Sequence, residues 1–224
     1  KYNVDESKIL IKKRSIDARK KNIIANITLE IYNENENPHI FSDDYIYKNV
    51  SEKEEVHIIG AGPAGLFAAL RCIELGLKPI LIERGKDVQS RRRDLANINK
   101  KHIVNPESNY CFGEGGAGTY SDGKLYTRSK KRGDVKSILQ TLVAFGADDI
   151  ILADAHPHIG TNKLPQIIVK MREAILKNGG EVHFDSKMTD LIIENQAVKG
   201  IIINDKKTIK ADQVILATGH SARD

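Results

Sequence analysis

A short glycine-rich segment constrains this chain more than any other. The apolar run Val56–Ile59 leads directly into Gly60-Ala61-Gly62-Pro63-Ala64-Gly65, which has the spacing G-x-G-x-x-G. The acidic residue Glu83 follows Gly60 by 23 residues and ends a second apolar run. A strand, a glycine turn, a helix, a strand and an acid in this order are typical of a dinucleotide-binding βαβ unit. The alternative, an ordinary glycine-rich turn, leaves the other four features unexplained.

Each position of this turn predicts a contact. Gly60 permits the tight turn, Gly62 lets a pyrophosphate approach the backbone, and Gly65 lets the helix pack close to the sheet. A helix that begins near Pro63 directs free N–H groups and its positive dipole end at that phosphate. Glu83 is expected to accept hydrogen bonds from a ribose diol. The predicted cofactor contacts of the turn are Gly60, Ala61, Gly62, Pro63, Ala64 and Gly65.

Composition limits the class of protein. With 224 residues, of which 40% are apolar, the chain is long enough for one domain or two small ones with a buried core. A net charge of +5 and a pI near 9.0 suit anionic cofactors and do not by themselves indicate nucleic acid. The absence of a long apolar run or a signal-peptide pattern predicts no membrane contact, and the two cysteines, Cys72 and Cys111, predict a reducing, cytoplasmic setting.

The chain divides by composition near residue 50. Residues 1–50 contain two strand-like segments, 8–14 and 23–32, and are expected to be part of a small appended α/β domain. Residues 51–224 are expected to form a Rossmann-like domain with a parallel sheet, helices and an antiparallel β-meander. Helices are predicted over 63–75, 87–100, 133–145 and 163–177, and strands over 78–83, 150–152, 181–185, 188–194, 197–204, 207–210 and 213–217.

A second glycine-rich loop follows the predicted helix 87–100. Four of the six positions 113–118 are glycine, including Gly115 and Gly116, so the backbone there can lie against a flat or phosphorylated ligand. Thr119, Ser121 and Lys124 are predicted to donate hydrogen bonds to a pyrophosphate or to the polar edge of an isoalloxazine. The alternative is a flexible surface loop.

The order of elements in the second half resembles the FAD-binding domain of glutathione-reductase-type flavoproteins. In that family the strand after the second long helix passes the adenine, which here places Lys187 and Met188 near it. The resemblance also brings Ala217, Thr218 and Gly219 close to the dinucleotide.

Four motifs in order make the resemblance specific: SIDARK from Ser15, GEGGAGTYSDGKL from Gly113, HPHIGTNKL from His156 and ATGHSARD from Ala217. Together they resemble the FAD-dependent dehydrogenase family, usually labelled NAD(FAD)-utilising. The resemblance implies FAD as cofactor, NAD(P)H as a candidate electron donor, an unidentified small-molecule substrate and a small N-terminal α/β domain. By position, the implied FAD contacts are Gly60, Gly62, Gly65, Glu83, Arg84, Gly116, Thr119, Lys124, Met188 and Gly219.

One departure from the family pattern concerns the end of the FAD site. Flavoproteins of this type carry a late Gly-Asp motif, and none follows the Ala-Thr-Gly element before the chain stops at Asp224. We therefore expect this chain to be a fragment, with the last part of the FAD site and a substrate domain lying beyond it. No catalytic residue is predicted.

Several charged and reactive residues allow more than one interpretation. The run Arg91–Arg93 forms either a phosphate-attracting surface or a solvated helix surface, and the solvated surface is favoured. His156 and His158 are too few for a metal site, so no metal is predicted. Cys111 precedes the second glycine loop and is a candidate free thiol near the flavin. Six basic residues allow RNA contact, as in a flavoprotein that serves RNA modification: Lys12, Lys13, Arg14, Arg19, Lys20 and Lys21. A non-catalytic FAD-binding module is a further alternative.

Overall fold

The computed structural model describes residues 5–36, 47–127 and 133–223. Its strands, in chain order, are β1 (Ile9–Asp17), β2 (Ile24–Ile31), β3 (Glu55–Ile59), β4 (Lys78–Ile82), β5 (Glu181–His183), β6 (Met188–Glu194), β7 (Ala197–Ile203), β8 (Lys207–Lys210) and β9 (Val214–Leu216). Its α-helices are α1 (Pro63–Glu74), α2 (Val88–Lys101), α3 (Val135–Ala144) and α4 (Leu164–Lys177).

The described residues form two compact units. One unit contains residues 5–36, 122–127 and 133–164, and the other contains residues 47–121 and 165–223. Residues 1–4 and 37–46 of the predicted N-terminal domain lie outside the described residues, and its boundary near residue 50 stays a prediction.

The first unit contains an antiparallel pair formed by β1 and β2. Ile9 lies opposite Ile31 and Asp17 opposite Ile24, and a β-bulge shifts the register between Ile11 and Lys13. Two strands are marginally stable in water, so additional contacts have to support them. Within this unit β1 gains such contacts from the segment after α3, because the Arg14 N–H donates to the Ala153 carbonyl at 2.8 Å.

The second unit is built on a four-stranded parallel sheet in the order β5-β4-β3-β9. The strands β6, β7 and β8 form a separate antiparallel meander. Ile59, Ile80 and Ile82 from the parallel sheet pack with Ile201 and Ile203 from the meander in one buried cluster. The predicted α/β class, a parallel sheet with helices plus an antiparallel meander, is therefore confirmed.

The predicted strand at residues 150–152 is wrong. Residues Asp149–Leu152 form a 3₁₀ helix, in which the Ala153 N–H donates to the Ile150 carbonyl. Ile151 is buried, as expected for a strand. A short apolar run cannot distinguish a buried strand from a buried helical turn by periodicity alone.

Across residues 5–36, 47–127 and 133–223, no helix has the length and apolar content that a membrane span requires.

Candidate cofactor site

The turn between β3 and α1 contains two kinds of glycine. Gly60 has a φ of +104°, and a Cβ built on it would lie 2.6 Å from the Ala217 carbonyl oxygen. A Cβ on Gly65 would lie 1.8 Å from the Gly60 carbonyl oxygen. Folding alone therefore requires glycine at both positions. Gly62 is different, because its φ is −74° and the nearest atom to an added Cβ would be the Gly116 Cα, at 3.9 Å.

The uncrowded backbone at Gly62 fits a ligand that approaches it closely. The protein's own packing would tolerate a Cβ there, so neither strain nor crowding explains the glycine. A pyrophosphate lying against the turn does explain it, because a Cβ would occupy the same space. This part of the chain therefore suits a dinucleotide.

The start of α1 is also suited to an anion. Its N-cap is Gly62, which offers no side-chain hydrogen bond to the first turn. In α2 the Asp87 side chain accepts from the N–H groups of Gln89 and Ser90, and in α3 Asp134 caps the corresponding turn. Free N–H groups and the positive end of the helix dipole at α1 are therefore available to a phosphate.

The turn opens into a cleft of about 770 Å³ at the carboxyl ends of β3 and β4. Of the predicted contacts, twelve line it: Gly60, Gly62, Pro63, Ala64, Glu83, Arg84, Gly116, Lys187, Met188, Ala217, Thr218 and Gly219. Gly113 and Gly118, from the loop predicted to lie against a ligand, also line the cleft. The sequence interpretation did not assign six other lining residues to the cofactor: Phe112, Ala117, Ser186, Thr189, Asp205 and Ser221. Phe112 and Ala117 adjoin or belong to the second glycine loop, so that motif was the signal that could have identified them.

Glu83 is tied to the turn itself. Its Oε2 accepts from the Ala61 N–H and its Oε1 from the Gly85 N–H, each at 2.8 Å. The side chain is buried, yet it forms part of the cleft wall. The carboxylate thus joins the end of β4 to the glycine turn, and the ribose contact predicted for it stays a prediction.

The second glycine loop lies directly against the turn and also lines the cleft. The Gly115 N–H donates to the Ala61 carbonyl at 2.8 Å, which joins the two glycine segments directly. A Cβ on Gly116 would lie 3.5 Å from the Gly62 Cα. Gly118 would accept a Cβ without crowding, because the nearest atom to it would be the Ser121 Oγ at 4.0 Å. A ligand in the cleft would therefore meet backbone without side chains at Gly60 and Gly62 and at Gly116 and Gly118.

Four predicted contacts of the two glycine segments lie elsewhere. Gly65 is buried beneath the turn. A Cβ built on Gly115 would lie only 2.3 Å from the Thr119 Oγ1, so this glycine faces the interior of the loop. Thr119 is fully buried, and its hydroxyl hydrogen bonds within the loop to the Glu114 and Gly116 carbonyls. Ser121 is exposed, and its Oγ donates to the Gly118 carbonyl at 2.7 Å. None of the four lines the cleft.

The predicted contact Lys124 belongs to the first unit. Its ammonium is exposed and lies 3.4 Å from the Asp122 carboxylate. The predicted contact Ala61 is buried, and it takes part through its backbone N–H and carbonyl groups.

Arg84 organises the rim of the cleft. Its guanidinium lies 4.0 Å from the centroid of the Phe112 ring, and its Nη1 donates to the Ser221 Oγ at 3.0 Å. Its Nε also donates to the Glu107 carboxylate, which Lys187 approaches from the other side at 3.4 Å. These cations lower the pKa of Glu107, with the Arg84 hydrogen bond as the largest cause. The rim therefore carries two cations that suit an anionic or aromatic ligand.

Two charged residues are buried next to the second glycine loop, and the sequence interpretation did not predict their burial. Arg91 and Glu114 are both fully buried, although the run that contains Arg91 was expected to be a solvated helix surface. Glu114 Oε2 accepts from the Val88 N–H at 2.8 Å and from Arg172 at 2.9 Å, while its Oε1 has no partner among the described atoms. Burial raises the pKa of Glu114 to about 7 and lowers the pKa of Arg91.

Family models match three parts of the chain. The model for an FAD binding domain matches residues 55–96, which contain the glycine turn and Glu83. The model described as glucose inhibited division protein A matches residues 168–223, and a domain of unknown function matches residues 1–32.

The chain is similar to longer proteins. An uncharacterized protein of Clostridium beijerinckii is 37% identical over 98% of this chain and 44% of that protein. A thiamine thiazole synthase of Aeropyrum pernix is 25% identical over 76% of this chain and 56% of that protein. The structure of Thermovibrio ammonificans THI4 aligns with a TM-score of 0.47 and 17% identity over 76% of this chain and 58% of that one. The chain thus spans about half the length of the curated relatives it matches.

The FAD model covers the same turn whose geometry suits a dinucleotide, and it separates FAD from other dinucleotides. That assignment agrees with the parallel sheet, with the meander and with the two glycine segments that line the cleft. FAD is therefore the cofactor, and the chain is similar to FAD-dependent flavoproteins.

Proposed function

We propose that this chain is the FAD-binding part of an oxidoreductase that acts on a small-molecule substrate. The observation that carries the proposal is the open backbone at Gly62, where the protein's own packing leaves space for a Cβ that is absent. FAD, when bound, supplies hydride or electron transfer. The chain's own residues bind and orient the cofactor, and NAD(P)H is the proposed electron donor.

The cleft suggests how the two ends of the cofactor are divided. The pyrophosphate would be held by the N–H groups at the start of α1 and by the backbone of Gly116 and Gly118. The adenosine would lie toward Lys187 and Met188, on the rim that contains Arg84.

Both free cysteines, buried Cys72 and exposed Cys111, support a reducing, cytoplasmic setting for this proposal.

The test is the affinity of the purified protein for FAD, followed by visible absorption and quenching of flavin fluorescence. Gly62→Ala is the informative variant, because its added Cβ meets no protein atom closer than 3.9 Å. We expect FAD affinity to fall about tenfold or more, while the melting temperature of the cofactor-free protein stays within a few degrees. Unchanged FAD affinity in Gly62→Ala would refute the placement of the pyrophosphate.

Reduction of the bound flavin tests the activity. NAD(P)H or an organic donor should bleach the flavin absorption under anaerobic conditions. Bound flavin that none of these donors reduces would favour a non-catalytic FAD-binding module over an oxidoreductase.

RNA binding is a second candidate, supported by exposed Lys13, Lys20 and Lys21 in the first unit. Three other basic side chains in this unit are already paired with carboxylates: Lys12 with Glu30, Arg14 with Asp154 and Arg19 with Asp17. Such pairing reduces the charge available to phosphates, so the oxidoreductase is favoured. Salt-sensitive RNA binding that disappears when Lys12, Lys13, Lys20 and Lys21 are neutralised would reverse that preference.

A further inference from the structure

The buried side chain of Arg91 forms hydrogen bonds to several residues of the second glycine loop. Its Nε donates to the Asn109 carbonyl at 2.8 Å and its Nη2 to the Tyr110 carbonyl at 3.1 Å. Its Nη1 donates to the Glu114 carbonyl at 2.8 Å and to the Thr119 hydroxyl at 3.1 Å. One side chain on α2 therefore binds both ends of the segment 109–119.

The shape of the guanidinium matters here as well as its charge. Among the described residues no carboxylate forms an ion pair with Arg91, which is fully buried and surrounded by loop oxygens. A buried cation is costly unless hydrogen bonds compensate it. A planar fork can serve several fixed acceptors at once, whereas the ammonium of a lysine is a point charge with a different geometry.

The loop that Arg91 binds also contacts the glycine turn and lines the cleft. Gly113 has a φ of +117°, and a Cβ there would lie 2.6 Å from the Arg91 Cδ, so glycine at 113 makes room for the arginine. Two residues later, the Gly115 N–H donates to the Ala61 carbonyl. Gly116 then lies beside Gly62, and both residues line the cleft. An unbroken series of contacts therefore runs from Arg91 to the position expected for the pyrophosphate.

We propose that Arg91 is a positioning residue for FAD, which fixes the second glycine loop against the glycine turn, beside the place expected for the pyrophosphate. Thr119 acts in the same way, as the hydroxyl that receives the Arg91 N–H and donates to a loop carbonyl. The inference rests on the proposed FAD site, and it assigns to both residues an indirect role that does not involve touching the cofactor.

The first test compares Arg91→Lys with Arg93→Lys, an exposed arginine on the same helix. We expect Arg91→Lys to weaken FAD affinity about tenfold and Arg93→Lys to leave it within about twofold. Hydrogen exchange of the cofactor-free protein should increase in residues 109–119 and remain unchanged in β3 and α1. Unchanged FAD affinity, or exchange that rises equally throughout the molecule, would overturn the proposal, since the latter indicates only a general loss of stability.

Two substitutions of the uncharged Thr119 keep the proposal testable if the Arg91→Lys variant does not fold. Thr119→Val removes the hydroxyl at nearly constant volume, and Thr119→Ser retains it. We expect the valine variant to raise both the FAD dissociation constant and the exchange of residues 109–119, and the serine variant to match wild type. Equal behaviour of the two variants would contradict the role of the hydroxyl. Hydrogen exchange of residues 109–119 is measured in the cofactor-free protein, so it tests the hydrogen bonds of Arg91 independently of FAD. If the wild-type protein failed to bind FAD, that result would refute the cofactor site alone.

Discussion

The Glu83 carboxylate accepts a hydrogen bond from the Ala61 N–H at 2.8 Å and thereby fastens the end of β4 to the glycine turn after β3. Its other oxygen accepts from the Gly85 N–H at the same distance. Both donors are backbone groups in a buried setting, where an unsatisfied N–H is costly. Glu83 therefore shapes the turn whether or not it also meets a ribose.

Replacement of Glu83 by glutamine tests this role. The amide nitrogen of Glu83→Gln would face a backbone N–H instead of accepting from it, so the free energy of unfolding should fall by about 1–3 kcal/mol. Urea unfolding of the cofactor-free protein measures the loss. Glu173→Gln, an exposed position on α4, is the control and should change stability by less than about 0.5 kcal/mol. A stable Glu83→Gln protein would show that the two hydrogen bonds do not hold the turn.

Two glycine variants should separate folding from cofactor binding. Gly65→Ala places a Cβ 1.8 Å from the Gly60 carbonyl oxygen, so we expect a loss of about 3 kcal/mol or more in stability. Gly118→Ala places its Cβ no closer than 4.0 Å to any atom, so stability should be retained while FAD affinity falls. Thermal unfolding monitored by circular dichroism, together with FAD titration, distinguishes the two effects. The prediction fails if Gly118→Ala binds FAD as wild type does.

Glu114 should give stability an unusual pH dependence. Burial raises its pKa from 4.5 to about 7 in the folded protein, so between those values the folded state binds more protons than the unfolded state. The contribution of Glu114 to the free energy of unfolding is therefore greatest below its pKa in the unfolded protein. This contribution declines as the pH rises through about 7. The charged groups around it are Arg172 and Arg91, which favour ionisation, and Asp87 and Glu83, which oppose it.

Glu114→Gln should remove this dependence. At about pH 8 the variant should be more stable than wild type by about 2–3 kcal/mol, because it keeps a neutral group where wild type carries a buried charge. Chemical unfolding across the pH range from about 5 to 8 measures the difference. Glu173→Gln should keep the wild-type slope, and a Glu114→Gln profile parallel to wild type would contradict the assignment of the slope to this carboxyl.

The Arg14–Asp154 pair should contribute little to the first unit. The two side chains form two hydrogen bonds, at 2.7 and 3.0 Å, and both remain partly exposed. A double-mutant cycle with Arg14→Ala and Asp154→Ala should give a coupling energy of about 0.5–1 kcal/mol that decreases with added salt. A coupling that salt leaves unchanged would indicate a pair shielded from solvent.

Much of the second unit could be predicted from local patterns. The helix predicted over 63–75 is observed as Pro63–Glu74, and the one predicted over 87–100 is observed as Val88–Lys101. Both begin at residues whose role is local, a proline in the first turn and the N-cap Asp87. The glycine spacing likewise indicated a dinucleotide, because G-x-G-x-x-G reports backbone geometry within a few residues.

The amino-acid sequence by itself thus determined the class of fold, and it located the glycine turn and the second glycine segment at which we expect the cofactor to bind. Only the tertiary structure showed that Arg91 is buried while Arg93 is exposed, and that Thr119 turns away from the cleft. It also showed that Glu114 is buried between α2 and α4. The reason is physical: the glycine spacing reflects local backbone geometry, whereas the burial of a charge depends on oxygens and N–H groups that only the folded chain brings together from distant segments.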